Sequence, residues 1–118
     1  MINKYALGLL LIGLPFSSFA GVLLEKTFQH GGITREYEIY LPDNLSNKAP
    51  LVFVLHGRTS RNKWIRNNSQ MNDVADQGSF AVCYPQGTSA KMPGIDEEPK
   101  PHWNVHLTYM DVDDVGFL

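Results

Sequence analysis

Leu51-Val52-Phe53-Val54-Leu55-His56-Gly57 is an unbroken apolar run that ends in His-Gly. A run without polar alternation, holding two valines, predicts a strand covered on both faces of a sheet. Downstream, Phe80-Ala81-Val82-Cys83-Tyr84-Pro85 is a second run of the same kind. Between them, Gly57 to Asn68 reads as a polar loop holding Trp64 and Ile65. Ser69 to Gln77 reads as a helix with Met71, Val74 and Ala75 on one side, stopped by Gly78. Strand, helix and strand in this order predict a right-handed parallel crossover.

Upstream, Val22 to His30 and Ile33 to Leu41 flank Gly31-Gly32, a hairpin signal because glycine tolerates φ > 0 in a tight turn. In the second run Arg35, Tyr37, Ile39 and Leu41 share one face, and Thr34, Glu36, Glu38 and Tyr40 the other. Such alternation predicts an antiparallel strand with one face more exposed. Pro42 to Pro50 is a polar turn region. Gln86 to Tyr109 is irregular, and Pro93, Pro99 and Pro101 exclude a continuous helix there. Asp111-Val112-Asp113-Asp114-Val115-Gly116-Phe117-Leu118 reads as a helix start, with acidic side chains capping free N–H groups and complementing the helix dipole.

The 118 residues suffice for one small domain. The formal net charge is −2 and no basic stripe is visible, which excludes an electrostatic case for nucleic acid. Residues 1–20 stand apart. Lys4 supplies a positive start, Tyr5 to Phe16 is apolar apart from Gly8, Gly13 and Pro15, and Ser18-Phe19-Ala20 sets small residues before a cut preceding Gly21. This is the layout of a signal peptide cleaved after Ala20, so the chain is expected to be secreted or periplasmic. The run is shorter than the about 20 apolar residues that span a bilayer, and no stable membrane association is expected after cleavage. Losing Lys4 moves the formal charge from −2 to −3. Cys83 stands alone, so no internal disulfide is possible, and its apolar setting predicts a buried, inert thiol.

Several ordered pieces carry a resemblance: Arg35-Glu36-Tyr37-Glu38-Ile39-Tyr40-Leu41-Pro42, Leu51 to Gly57, Met71-Asn72-Asp73-Val74-Ala75-Asp76-Gln77, Phe80 to Pro85, Trp103-Asn104, and Val112-Asp113-Asp114-Val115-Gly116-Phe117-Leu118. Together they resemble the secreted polyhydroxybutyrate depolymerase and feruloyl esterase group of α/β-hydrolases. The likeness runs over about the whole of residues 21–118. It implies an α/β fold class: an incomplete α/β-hydrolase fold, in which an N-terminal antiparallel hairpin precedes a parallel strand-helix-strand unit and the start of a further helix. Residues 21–118 would form the N-terminal portion of the hydrolase domain.

Members of that group cleave carboxylic esters with a Ser-His-Asp triad whose serine sits on a strand-to-helix elbow. By the resemblance, that elbow follows the Asp113-Asp114 helix, and no Gly-x-Ser-x-Gly occurs in the 118 residues. What is present is the loop after His56-Gly57, which supplies one backbone N–H of the oxyanion hole. Arg58 and Thr59 are the backbone donors expected by position, supported by His56 and Gly57. Family members often carry a small residue or cysteine where Arg58 stands. Trp64 and Trp103 are candidates for stacking on a bound aromatic or sugar ring, with a core or lid role as the alternative. The resemblance implies no cofactor and no metal, an ester substrate of polyester or feruloyl type, and a complementing C-terminal chain. The 118 residues alone are expected to be inactive and poorly soluble, with an open parallel edge where the elbow strand pairs.

Other constellations give way to structural readings. His102 and His106 are four apart, the spacing of paired ligands on a helix. Pro101 argues against that helix, and solvated loop positions are expected. Asp111, Asp113 and Asp114 could suggest calcium, but a calcium loop also needs a glutamate at its twelfth position, which the eight residues from Asp111 to Leu118 do not reach, and they are read as caps. Ser60 and Ser79 are read as turn residues. Two further functional readings stay open: a non-enzymatic secreted polymer-binding module using Trp64 and Trp103, and one half of a split hydrolase.

Overall fold

The structure, a computed structural model, describes residues 21–118. The signal-peptide expectation for residues 1–20 lies outside them. Strand β1 spans Val22–His30 and β2 spans Ile33–Leu41, paired antiparallel from Val22↔Leu41 to His30↔Ile33. Gly31 and Gly32 form the two-residue turn with φ of 59° and 79°. Positive φ at both positions gives the turn twist that matches paired strands, which is why a glycine pair stands there.

The rest of the sheet is β3, Leu51–Phe53, and β4, Ala81–Pro85. The order is β1-β2-β4-β3. β2 pairs antiparallel with β4, and β3 pairs parallel with β4 in the register Val52↔Val82. The connection from β3 to β4 carries two helices, α1 (Asn62–Ser69) and α2 (Met71–Gly78). The architecture is thus α/β, with a mixed sheet built from a hairpin and a parallel pair. A two-stranded ribbon of β5 (Ser89–Ala90) and β6 (Lys100–Pro101) follows, and then the short helix α3 (Asp114–Phe117).

Some expectations change. The Gly57–Asn68 stretch is not all loop, because its second half is α1. Ile65 and Arg66 turn toward the sheet while Lys63 and Trp64 face solvent. A single left-handed residue, Gln70 (φ 57°), breaks the helical path before α2. Nor is the apolar run covered on both faces: Leu51, Phe53 and Leu55 are exposed, whereas Val52 and Val54 are half-buried. β3 lies at the sheet edge, and no helix among the described residues covers its Leu51–Phe53 face. An open apolar cleft instead runs across that face, lined by Phe28, Ile39, Phe53, Cys83 and Phe117 among others.

The opposite face holds the core. Tyr40, Ala75, Val82 and Tyr84 pack together, with Val54, Ile65, Met71 and Phe80 against them. The polar ends of both tyrosines are satisfied from α2: Tyr40 donates to Asp76 Oδ1 and Tyr84 to Asn72 Oδ1, each at 2.7 Å. Val74, expected on the packed side of α2, is exposed. α3 opens as expected, with Asp113 Oδ1 accepting from the Gly116 N–H at 2.8 Å.

Burial alone pushes the Cys83 thiol up from 9.0 to about 11, and burial raises the Tyr84 hydroxyl as well. The sign follows directly. The folded state holds the Cys83 proton more tightly than the unfolded chain does, so this contribution is complete below pH 9 and is lost as pH rises toward 11. The interval corresponds to roughly 2–3 kcal/mol. Urea midpoints measured from pH 8 to 11 are expected to fall steeply, and the fall should flatten in Cys83→Ala. A midpoint independent of pH over that range would overturn this expectation.

Candidate functional site

The His-Gly loop lies between the end of β3 and the start of α1. Val54 N–H still bonds Cys83 O at 2.9 Å, so the chain leaves the sheet only after that residue. His56, 2% exposed, is the first buried side chain beyond it. Its Nδ1 lies 2.8 Å from Gly57 O, its Nε2 accepts from Gly87 N–H at 2.9 Å, and Gln86 Nε2 stands 3.1 Å from the same nitrogen. Trp103 Nε1 donates to His56 O at 2.9 Å, with the two rings 5.0 Å apart. Both His56 nitrogens and its carbonyl are therefore engaged within the protein.

The next residues divide by what their N–H groups do. Thr59 N–H is donated to Pro101 O at 2.8 Å, which ties the loop to β6 and holds Thr59 at φ 68°. Ser60 N–H is donated to Gly57 O at 3.1 Å. Arg58 N–H meets no acceptor among the described residues. The Arg58 side chain pairs with Asp96, and this hydrogen bond, helped by the Met92 N–H, holds the Asp96 carboxyl below its ordinary value.

Of the two tryptophans, Trp64 is 58% exposed on α1. With Gly57, Thr59, Ser60 and Arg61 it lines an open cleft of about 530 Å³ beside the loop. Trp103 is half-buried against His56 and takes no part in that lining. The structure thus joins His56, Gly57 and Trp103 in one hydrogen-bonded unit, ties Thr59 to Pro101 and the Arg58 side chain to Asp96, and sets Trp64 in the lining of the cleft. His102 departs from the expected solvated position. It is buried, with Nδ1 2.7 Å from Lys100 O, and its ring lies tilted against that of Tyr109 at 5.8 Å. His106 lies exposed on the loop at φ 69°. No cluster of three metal-ligating side chains occurs among the described residues.

Gln86 and Gly87 were not singled out by sequence reading, and both belong to this unit. Gln86 Oε1 accepts from the Asn62 N–H at 3.0 Å, so the start of α1 is fixed to the end of β4. A Cβ at Gly87 would lie 2.5 Å from His102 O and 3.3 Å from His56 Cε1. A backbone carbonyl cannot swing aside as a side-chain end can, so Gly87→Ala is expected to cost about 1–3 kcal/mol by overpacking. Gly57→Ala, whose Cβ meets nothing within 4 Å, serves as the control. Thermal melts should show a fall of roughly 5–20 °C for the first and little change for the second. Equal melting temperatures would refute the steric reading. The one sequence signal available was the glycine following Tyr84-Pro85-Gln86 at the end of a buried strand, where close backbone approach calls for glycine.

No family model matches the chain, and no curated protein matches it.

Proposed function

We propose that residues 21–118 supply the oxyanion-loop portion of a secreted carboxylic-ester hydrolase of the polyhydroxybutyrate depolymerase or feruloyl esterase type. The observation that carries the reading is the Arg58 N–H, left without an acceptor among the described residues. It lies in the loop that joins a parallel strand to the following helix, between Gly57 and Thr59, which themselves line an open cleft. An N–H held ready and facing no protein acceptor is what a developing oxyanion requires, and one such donor is worth about 3–4 kcal/mol in the transition state. Thr59 N–H is committed to Pro101 O, so Arg58 is the donor of the pair.

In this reading the ester carbonyl lies over the Arg58 N–H with the acyl or alcohol part against Trp64. The second oxyanion donor and the Ser-His-Asp triad come from outside these 118 residues, paired along the open edge of β3. His56, with both nitrogens engaged internally, supports the loop and transfers no proton.

The test is complementation. The 118-residue chain alone is expected to hydrolyse p-nitrophenyl butyrate no faster than a boiled control. Co-expressed with a C-terminal portion of such a hydrolase carrying Gly-x-Ser-x-Gly, it should yield activity that neither piece has alone. Activity of the lone chain, or none on complementation with soluble partners, would overturn the proposal.

A further inference from the structure

We infer that Gln86 is a positioning residue: together with the Gly87 N–H it holds the His56 proton on Nδ1 and so aims the Arg58 N–H. The catalytic meaning of this rests on the oxyanion-loop reading above, whereas the geometry stands apart from it.

The Gln86 amide has one orientation open to it. Its oxygen faces the Asn62 N–H at 3.0 Å, a group that only donates. Its nitrogen faces Gly87 O at 2.9 Å, a group that only accepts. The second amide hydrogen is thereby directed at His56 Nε2, 3.1 Å away. Gly87 N–H reaches the same nitrogen at 2.9 Å. With two donors converging on it, Nε2 is the acceptor of the ring, and the proton resides on Nδ1. Nδ1–H then donates to Gly57 O at 2.8 Å, joined there by the Ser60 N–H at 3.1 Å.

Gly57 C=O and Arg58 N–H belong to one planar trans peptide and point in opposite directions. Pinning the carbonyl inward therefore turns the N–H outward. The flanking peptides are pinned as well, by Trp103 Nε1 on His56 O and by Thr59 N–H on Pro101 O. A proton on Nε2 instead would face two donors and leave Nδ1 against a carbonyl oxygen, so the Gly57–Arg58 peptide would lose its restraint. His56 is too deeply buried for water to compensate.

The experiment is NMR of the ¹⁵N-labelled 118-residue chain at pH 7. In the wild type, long-range ¹H–¹⁵N spectra are expected to show His56 Nδ1 protonated and Nε2 bare, with the Ser60 amide protected from exchange. Gln86→Glu retains the acceptor for Asn62 but places a carboxylate oxygen against Nε2, so Nε2 should become protonated. Gln86→Ala leaves Gly87 N–H on Nε2, so that nitrogen should stay bare. A purely structural role would move Ser60 protection in both variants without moving the His56 proton. Wild-type His56 protonated on Nε2 would overturn the inference without any variant, as would identical His56 protonation in the two variants. None of these readouts involves ester hydrolysis, so failed complementation and a failed tautomer assignment are separate results.

Discussion

Asp114→Ala is expected to remove about 3–5 kcal/mol of stability, the range for stripping one partner from a buried ion pair. Arg35 and Asp114 have side chains only 1% and 3% exposed, joined at 2.5 Å. Among the described residues, Arg35 Nε and Nη1 already lack acceptors, and Gln86 O stands at 3.5 Å from Nη2. The Phe117 ring, 3.8 Å beneath the guanidinium, offers only its π face. The carboxylate is therefore the main compensation for a buried cation. It also accepts the Asn104 N–H at 2.5 Å, so its loss strands a second donor.

Small domains are stable by about 5–15 kcal/mol in total, so the variant would stand near unfolding. A urea titration followed by tryptophan fluorescence should show the midpoint lowered by about 2 M or more. A shift under 1 M would count against the buried-pair account. Replacing both partners, as in Arg35→Met with Asp114→Leu, should recover most of the loss because no lone charge remains.

The second large effect is expected at Glu38, and it is asymmetric. Glu38 Oε2 accepts from Arg66 Nε at 2.8 Å, while Oε1 has no donor among the described residues. The glutamate side chain is 2% exposed and the arginine 21%. Arg66→Ala strands a buried carboxylate and should cost about 3 kcal/mol or more. Glu38→Gln removes the charge that cannot be hydrated and leaves an arginine that can be. Its cost should stay near 1–2 kcal/mol. Introducing Glu38→Gln into Arg66→Ala should then raise stability, a sign that independent contributions cannot produce. If the second substitution lowers stability further, Glu38 is not held by Arg66 in the way described.

Neither buried pair was legible in the sequence, and the reason is physical. Alternation along β2 assigns faces, but it does not say that Arg35 meets a carboxylate 79 residues away or that Glu38 meets an arginine on α1. Local signals did well where the chain's own chemistry decides conformation. Gly31-Gly32 gave the hairpin, the apolar run at Ala81 gave the buried strand, and Asp113 gave the cap of α3. They failed at α1, whose residues from Asn62 to Ser69 are mostly polar and whose first N–H is held by Gln86 from another element. They failed again at β3, where an apolar run sits on an edge with one face uncovered.

The candidate site was legible only as a string. His56-Gly57 located the loop, but the fate of each N–H was not readable. That Thr59 is spent on Pro101 and Arg58 is not depends on β6, which returns to the loop from some forty residues downstream.

The glycine turn between β1 and β2 also bears on how the chain acquires its structure in time. Its pairing is set by neighbours in sequence, so the hairpin can close within microseconds, as isolated hairpins do. The parallel pair is different in kind. Leu51 must find Ala81 across an intervening segment that gains little until α1 and α2 have packed, and the closure entropy is spent before the contacts reward it. The hairpin thus offers an early template, and β4, which pairs with β2 on one side and β3 on the other, is the strand whose arrival is expected to set the pace of folding.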